Sequence, residues 1–205
     1  MSEESIPKKM VEAIRAEVCE KIQRLLQENP EQISFSTPFG TQSWLGYAAQ
    51  IGKLSSAKIL VANGINVNTG DKRDDRKPIC SAAANGHLEL VEYLVNSGSI
   101  LDTSLSVRNP LFAAVVGKSS NITELLLEAG VDSSVIYNSA TMTNMDALAF
   151  ALMRGEQKRA EIIAQWNAKN DRVKANALLE EAKSIAENNA FGRKPNKAYM
   201  DSPHK

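Results

Sequence analysis

The chain has 205 residues, with 24 Lys and Arg against 24 Asp and Glu, 43% hydrophobic residues and 5% aromatics. That length makes one compact domain or a short array of repeats. The balanced charge, leaning basic only over residues 154–205 with 11 bases to 7 acids, lacks the basic stripe of a duplex nucleic-acid binder. No apolar run approaches the ~18–20 residues needed to cross a bilayer, and Met1–Lys9 carries no apolar core of a secretory signal. Cys19 and Cys80 sit in apolar-periodic helical stretches, so free buried thiols in a reducing compartment are expected rather than a disulfide. The expectation is a soluble cytoplasmic protein without membrane or nucleic-acid partners.

Taken in chain order, residues 8–28 come first, with an apolar stripe at Val11, Ile14, Val18, Ile22 and Leu25 at helical spacing. Leu25-Leu26 precedes Ile59-Leu60 by 34 residues, which reads residues 1–42 as a helical cap or degenerate half-repeat. Self-similar segments follow. Ser43-Trp44-Leu45-Gly46-Tyr47-Ala48-Ala49 runs to Asn63-Gly64, Lys77-Pro78-Ile79-Cys80-Ser81-Ala82-Ala83 to Ser97-Gly98, and Asn109-Pro110-Leu111-Phe112-Ala113-Ala114 to Ala129-Gly130. A weaker fourth copy runs from Asp146-Ala147-Leu148 through Gly155 to Asn167. Starts and ends share the same spacings of 34, 32 and 37 residues, so the variation lies in the linking loops and each helical pair has constant length.

Each copy reads as helix, turn, helix, loop. Ser43, Asn109 and Asp146 stand where a side-chain oxygen can take the free N–H groups of a first turn, and Pro78 and Pro110 where a missing N–H costs nothing. The alanine pairs allow close helix approach. The pairs Ile59-Leu60, Tyr93-Leu94, Leu125-Leu126 and Ile162-Ile163 fill the seam, and Gly64, Gly98 and Gly130 supply a left-handed stop. Asp171 caps a last helix to about Asn188, with Leu178, Ala182 and Ile185 on one face. Residues 168–190 therefore read as a C-terminal cap, which a stack needs because each unit buries its apolar side only against neighbours. Residues 191–205 read as a disordered tail.

At Asn85-Gly86-His87-Leu88-Glu89-Leu90-Val91-Glu92-Tyr93-Leu94-Val95-Asn96-Ser97-Gly98, and at Gly64-Ile65-Asn66-Val67-Asn68, the chain resembles ankyrin repeats, whose period is about 33. The resemblance covers residues 43–167 and implies an all-α ankyrin-repeat solenoid of about four repeats with helical caps at both ends. It departs from the family at the turn histidine, where this chain has Gly46, Cys80, Phe112 and Ala149. That loss of a Thr–His hydrogen bond implies looser turns. Repeat four also lacks the proline and ends in Trp166-Asn167 instead of Gly.

Signatures of catalysis are missing. His87 opens a His-Leu-Glu stretch, but no Pro-Cys-x-x-Cys follows and the repeat pattern places a histidine there for packing. Phosphate-binding loops, a nucleophile elbow and a paired-cysteine metal motif are all lacking. Cys80 with His87 makes a dyad only on paper, since Cys80 occupies an inward position. Asp71, Asp74 and Asp75 are interleaved with Lys72, Arg73, Arg76 and Lys77, which reads as a solvated polar loop. The expectation is no enzyme, no cofactor and no metal.

The resemblance implies that partners bind the concave side built of loop fingers and first helices. In the family the variable contacts fall before the helical turn and ahead of the first-helix glycine. Matched onto this chain, the first group includes Phe39, Gln42, Arg73, Asp74, Arg76, Leu105, Arg108 and Met142. The second includes Gln50, Ile51, Ala84, Asn85, Val116, Gly117, Met153 and Arg154. Trp44 and Tyr47 join the same neighbourhood, being of types that dominate interfaces, although Trp44 reads equally as packing beneath the N-terminal cap. Arg73, Arg76 and Arg108 read as surface charge or as contacts. Tyr137, in the longest finger, is a candidate recognition aromatic. With Asp75 in the mixed-sign finger, whose charges orient a partner, the candidate contacts are Trp44, Tyr47, Gln50, Arg73, Asp74, Asp75, Arg76, Asn85, Arg108, Tyr137, Met153 and Arg154.

The stretch Met142-Thr143-Asn144-Met145-Asp146-Ala147-Leu148-Ala149-Phe150-Ala151, running to Ala164-Gln165-Trp166, is similar to ankyrin-type immunity proteins that neutralise bacterial polymorphic toxins. The resemblance implies a monomer bound one-to-one to a cognate toxin or effector domain acting in the cytoplasm, such as a nuclease, deaminase, NAD-consuming enzyme or ADP-ribosyltransferase. The alternatives are a regulatory adaptor using the same surface, and a weak nucleic-acid or membrane-surface binder using Arg193, Lys194, Lys197 and Lys205.

Overall fold

A computed structural model of the chain describes residues 5–35, 37 and 42–191. These form eleven α-helices, a short 3-10 turn at Pro30–Ser34 and an antiparallel bridge between Tyr137 and Met145. The chain divides into two compact units, Met1–Asp132 and Ser133–Lys205.

The first unit opens with α1 (Ile6–Ala16) and α2 (Cys19–Glu28), two helices where the apolar stripe of residues 8–28 suggests one continuous segment. The break is at Glu17, which takes the left-handed conformation with φ of 53°. Such a conformation strains a residue with a side chain and needs surrounding contacts to hold it. The Glu17 carboxylate accepts the Ser55 N–H at 3.0 Å and lies 3.8 Å from the Lys53 ammonium. The Ser56 hydroxyl donates to the Ile14 carbonyl at 2.9 Å, and Ile14, Ile22, Leu25 and Leu26 are buried. The hairpin is thus fastened to the first repeat by both polar and apolar contacts.

Three helical pairs follow: α3 (Trp44–Gln50) with α4 (Leu54–Ala62), α5 (Pro78–Ala84) with α6 (Leu88–Asn96), and α7 (Pro110–Val116) with α8 (Ser120–Glu128). The first helices pack in the series α3, α5, α7 and the second helices in the series α4, α6, α8, which makes two layers. Alanine permits the close approach in the first layer: Ala48, Ala49, Ala82, Ala83 and Ala114 are all completely buried. In each aliphatic pair of the second layer one member carries the seam, since Leu60, Leu94 and Leu126 have no exposed surface. Burying a leucine contributes about 1.5–3 kcal/mol.

Close backbone contact registers one repeat on the next. A Cβ added at Gly117 would collide with the Ala83 carbonyl, so α7 ends against the backbone of α5. His87 performs the packing role that the repeat pattern suggests. Its ring lies over Gly52, where an added Cβ would fall 2.5 Å from it, and its Nε2 is 3.2 Å from the Gln50 carbonyl.

The turns that lack the family histidine are held by other groups. Ser43 Oγ accepts the Gly46 N–H, Asn109 Oδ1 accepts that of Leu111, and Asp146 Oδ1 accepts that of Ala149. At the second turn the Cys80 thiol donates to the Arg108 carbonyl at 3.0 Å.

In the second unit, α9 (Ala147–Met153) packs on α10 (Gln157–Asn167) and on α11 (Arg172–Phe191), with Ile163 and Ala164 buried. No glycine directly follows α10, where Ala168 stands. Lys169 and Asn170 supply the left-handed turn instead, at φ of 51° and 62°. Asp171 Oδ1 accepts the N–H groups of Val173 and Lys174, so the anticipated cap is formed, and the helix continues past Asn188 to Phe191. Phe39 and residues 192–205, with the basic tail residues, lie outside the described residues.

Candidate protein-binding surface

The candidate contacts divide by burial, and Trp44 takes the packing role that its sequence position equally allows. Trp44 has no exposed surface. Its ring stacks on Phe35 with centroids 5.5 Å apart and planes 15° from parallel. Tyr47 is 4% exposed, and its hydroxyl accepts a hydrogen bond from Arg15 Nε at 2.6 Å. Both aromatics are core, in α3 against Phe35 and Arg15, and neither offers a face to a partner. Tyr137 is buried too, in the bridge to Met145. An aromatic ring buries 150–250 Å², and in these three places the fold takes that area for itself.

The loop joining α4 to α5, the first described finger, is shaped by Asp71. Its Oδ1 accepts the N–H groups of Arg73 and Asp74 at 3.1 and 2.8 Å, while its Oδ2 lies 3.6 Å from Arg76 Nε. Lys77 Nζ donates to Asp75 Oδ1 at 2.8 Å, and Asp75 takes φ of 55°. Gly70 allows this hairpin, because a Cβ there would strike the Asp75 backbone. Four of the loop's charges are therefore paired inside it. Lys72, Arg73 and Asp74 are exposed and have no ion-pair partner among the described residues.

The next finger, between α6 and α7, repeats the device with Asp102, whose Oδ1 accepts the Ser104 N–H at 2.8 Å. The Ser104 hydroxyl, and then that N–H, hold the Asp102 carboxyl below the usual carboxylate range. Arg108 works as a strut. Its Nε donates to the Asp74 carbonyl at 2.6 Å and its Nη1 lies 3.8 Å from Asp102 Oδ2, which joins one finger to the next. Behind it, burial pushes the Cys80 thiol up to about 12, so that group stays protonated and inert.

Leu105 and Val107, on this second finger, are 48% and 51% exposed. Asn85 is exposed at the end of α5, with its amide donating to the Ser81 carbonyl. Gln50 is exposed, but its Oε1 accepts from the Gln42 amide at 2.6 Å. Gly117 serves close packing, and Val116 beside it is 41% exposed. In the second unit Arg154 is exposed with its guanidinium 5.7 Å from the Phe150 ring centre, and Met153 lines a cleft of about 370 Å³ with Leu179 and Glu180.

Sequence reasoning weighed Lys72 only as compensation for neighbouring acids and passed over Val107. The signal was present in the alternation Leu105-x-Val107 just ahead of the cap residue Asn109, which leaves two aliphatics outside any helical face. Among the described residues no group of three His, Cys, Asp or Glu is placed to hold a metal ion, and no helix is long and apolar enough to cross a membrane.

A family model of ankyrin repeats, three copies long, matches the chain over residues 10–104, 45–136 and 82–174. No curated protein matches it.

Proposed function

The chain belongs to the ankyrin-repeat family, scaffolds that bind other proteins, and we propose that it is an immunity protein: a binder that holds a cognate toxin or effector domain and blocks its action in the cytoplasm. On this reading it has no catalytic activity of its own, and a monomer binds one partner. The observation that carries the binding surface is the finger pair. It is fixed internally by Asp71, Asp102 and Arg108, yet leaves the side chains of Lys72, Arg73, Asp74, Leu105 and Val107 exposed. A preorganised surface loses little conformational freedom on binding. The inhibitory role rests on the resemblance to immunity proteins read from the sequence of residues 142–166.

The test is co-expression with the product of the adjacent gene. The reading expects that product to be toxic alone, harmless with this chain, and recovered with it in a one-to-one complex. A harmless neighbour, or one whose toxicity persists without complex formation, overturns it.

A further inference from the structure

We propose that the two fingers between α4 and α7 dock an acidic protein segment carrying an aliphatic or aromatic anchor, an inference that rests on the protein-binding reading and names its partner's chemistry. Three features of the surface lead there.

The first is charge. Asp71 with Arg76, Asp75 with Lys77 and Asp102 with Arg108 neutralise one another within the fingers. What remains exposed without an ion-pair partner among the described residues is Lys72, Arg73 and Asp74, an excess of one positive charge. Two adjacent cations without internal partners favour carboxylates, and Asp74 beside them disfavours a uniformly acidic stretch and sets orientation.

The second is apolar surface. Leu105 and Val107 are about half exposed on a loop that is otherwise pinned. Single exposed aliphatics are ordinary, but two on one short turn make a local patch. The Arg108 and Asn109 N–H groups both bond to the Leu105 carbonyl, which fixes the turn that presents them.

The third is juxtaposition. The Arg108 side chain reaches the Asp74 carbonyl at 2.6 Å, so the positions next to each, Val107 and Arg73, are brought to neighbouring fingers. Carboxylates on the segment meet Lys72 and Arg73, and its apolar anchor covers Leu105 and Val107.

The experiment is selection of random displayed peptides on the full chain, followed by fluorescence anisotropy with the enriched peptides. The expected peptides carry Asp or Glu flanking Leu, Ile or Phe, and bind more weakly as salt rises. The variants Lys72→Glu/Arg73→Glu and Leu105→Ser/Val107→Ser should each weaken binding at least tenfold while melting is unchanged. Val173→Ser, at a residue 79% exposed in the second unit, should leave binding as it is. Enrichment of basic or uncharged peptides, competition by a single-stranded oligonucleotide, indifference to both finger variants, or no enrichment overturns the proposal. Indifference to the variants with retained binding of the adjacent gene product removes this docking face and leaves the broader reading intact. Loss of that binding in wild-type protein removes both.

Discussion

Replacing Trp44 tests the assignment of this residue to the core. Its side chain has no exposed surface and stacks on Phe35 at 5.5 Å. Truncating a buried tryptophan to alanine costs about 3–5 kcal/mol, and lost ring stacking contributes about 0.5–1.5 kcal/mol of that order. Phenylalanine separates packing from polarity. The Trp44 Nε1 hydrogen is buried without an acceptor among the described residues, and such a donor costs about 1–3 kcal/mol. Trp44→Phe removes that penalty while losing part of the ring, so the net change should stay within about 1.5 kcal/mol. Urea unfolding followed by circular dichroism reads both variants. The chain has two tryptophans, and Trp166 is 46% exposed, so a Trp166→Phe background isolates Trp44 emission, which should be blue-shifted in the folded state. A Trp44→Ala protein that loses less than about 1 kcal/mol and fails only in partner binding would refute the assignment.

Three further outcomes follow from the structure. Burial raises the Asp146 carboxyl above the ordinary aspartate range, against the opposing bond from the Ala149 N–H. A raised acid favours the folded state only while protonated, and that advantage is lost as pH rises through its folded value. Asp146→Asn, which retains an oxygen for the Ala149 N–H, should therefore be more stable than wild type at pH 7 and lose that advantage on acidification, as read by melting across pH; an Asn variant weaker at neutral pH contradicts this. The Cys80 thiol, raised from 9.0 to about 12, should resist alkylation at pH 8 until urea unfolds the chain, as read by peptide mass spectrometry, and its stabilising effect should fall away in the alkaline window between those values. Gly117→Ala should cost about 1–3 kcal/mol because the Ala83 carbonyl occupies the Cβ position, whereas an equal stability in thermal melting would mean that the α5–α7 approach is looser.

The repeat architecture was legible because its signals are local. Ser43, Asn109 and Asp146 announce helix starts by their own chemistry, and the seam leucines recur at a fixed period. The Glu17 break was not legible, because the stripe from Val11 to Leu25 continues through it and the residue is held by Ser55 and Lys53 from a distant part of the chain. Trp44 and Tyr47 carry the composition of an interface, but Phe35 and Arg15, brought from the N-terminal region, enclose or occupy them. In the charged finger, composition shows seven charges and no pairing. Only the hairpin at Gly70 and Asp75 decides which of them are spent inside the loop.

Hydrogen–deuterium exchange of the chain with and without the adjacent gene product addresses the binding surface most directly. The account predicts added protection in residues 70–76 and 103–108, with the outer-layer helices α4 and α6 unchanged. Protection confined to α4 and α6, with both fingers exchanging as in the free protein, would contradict it.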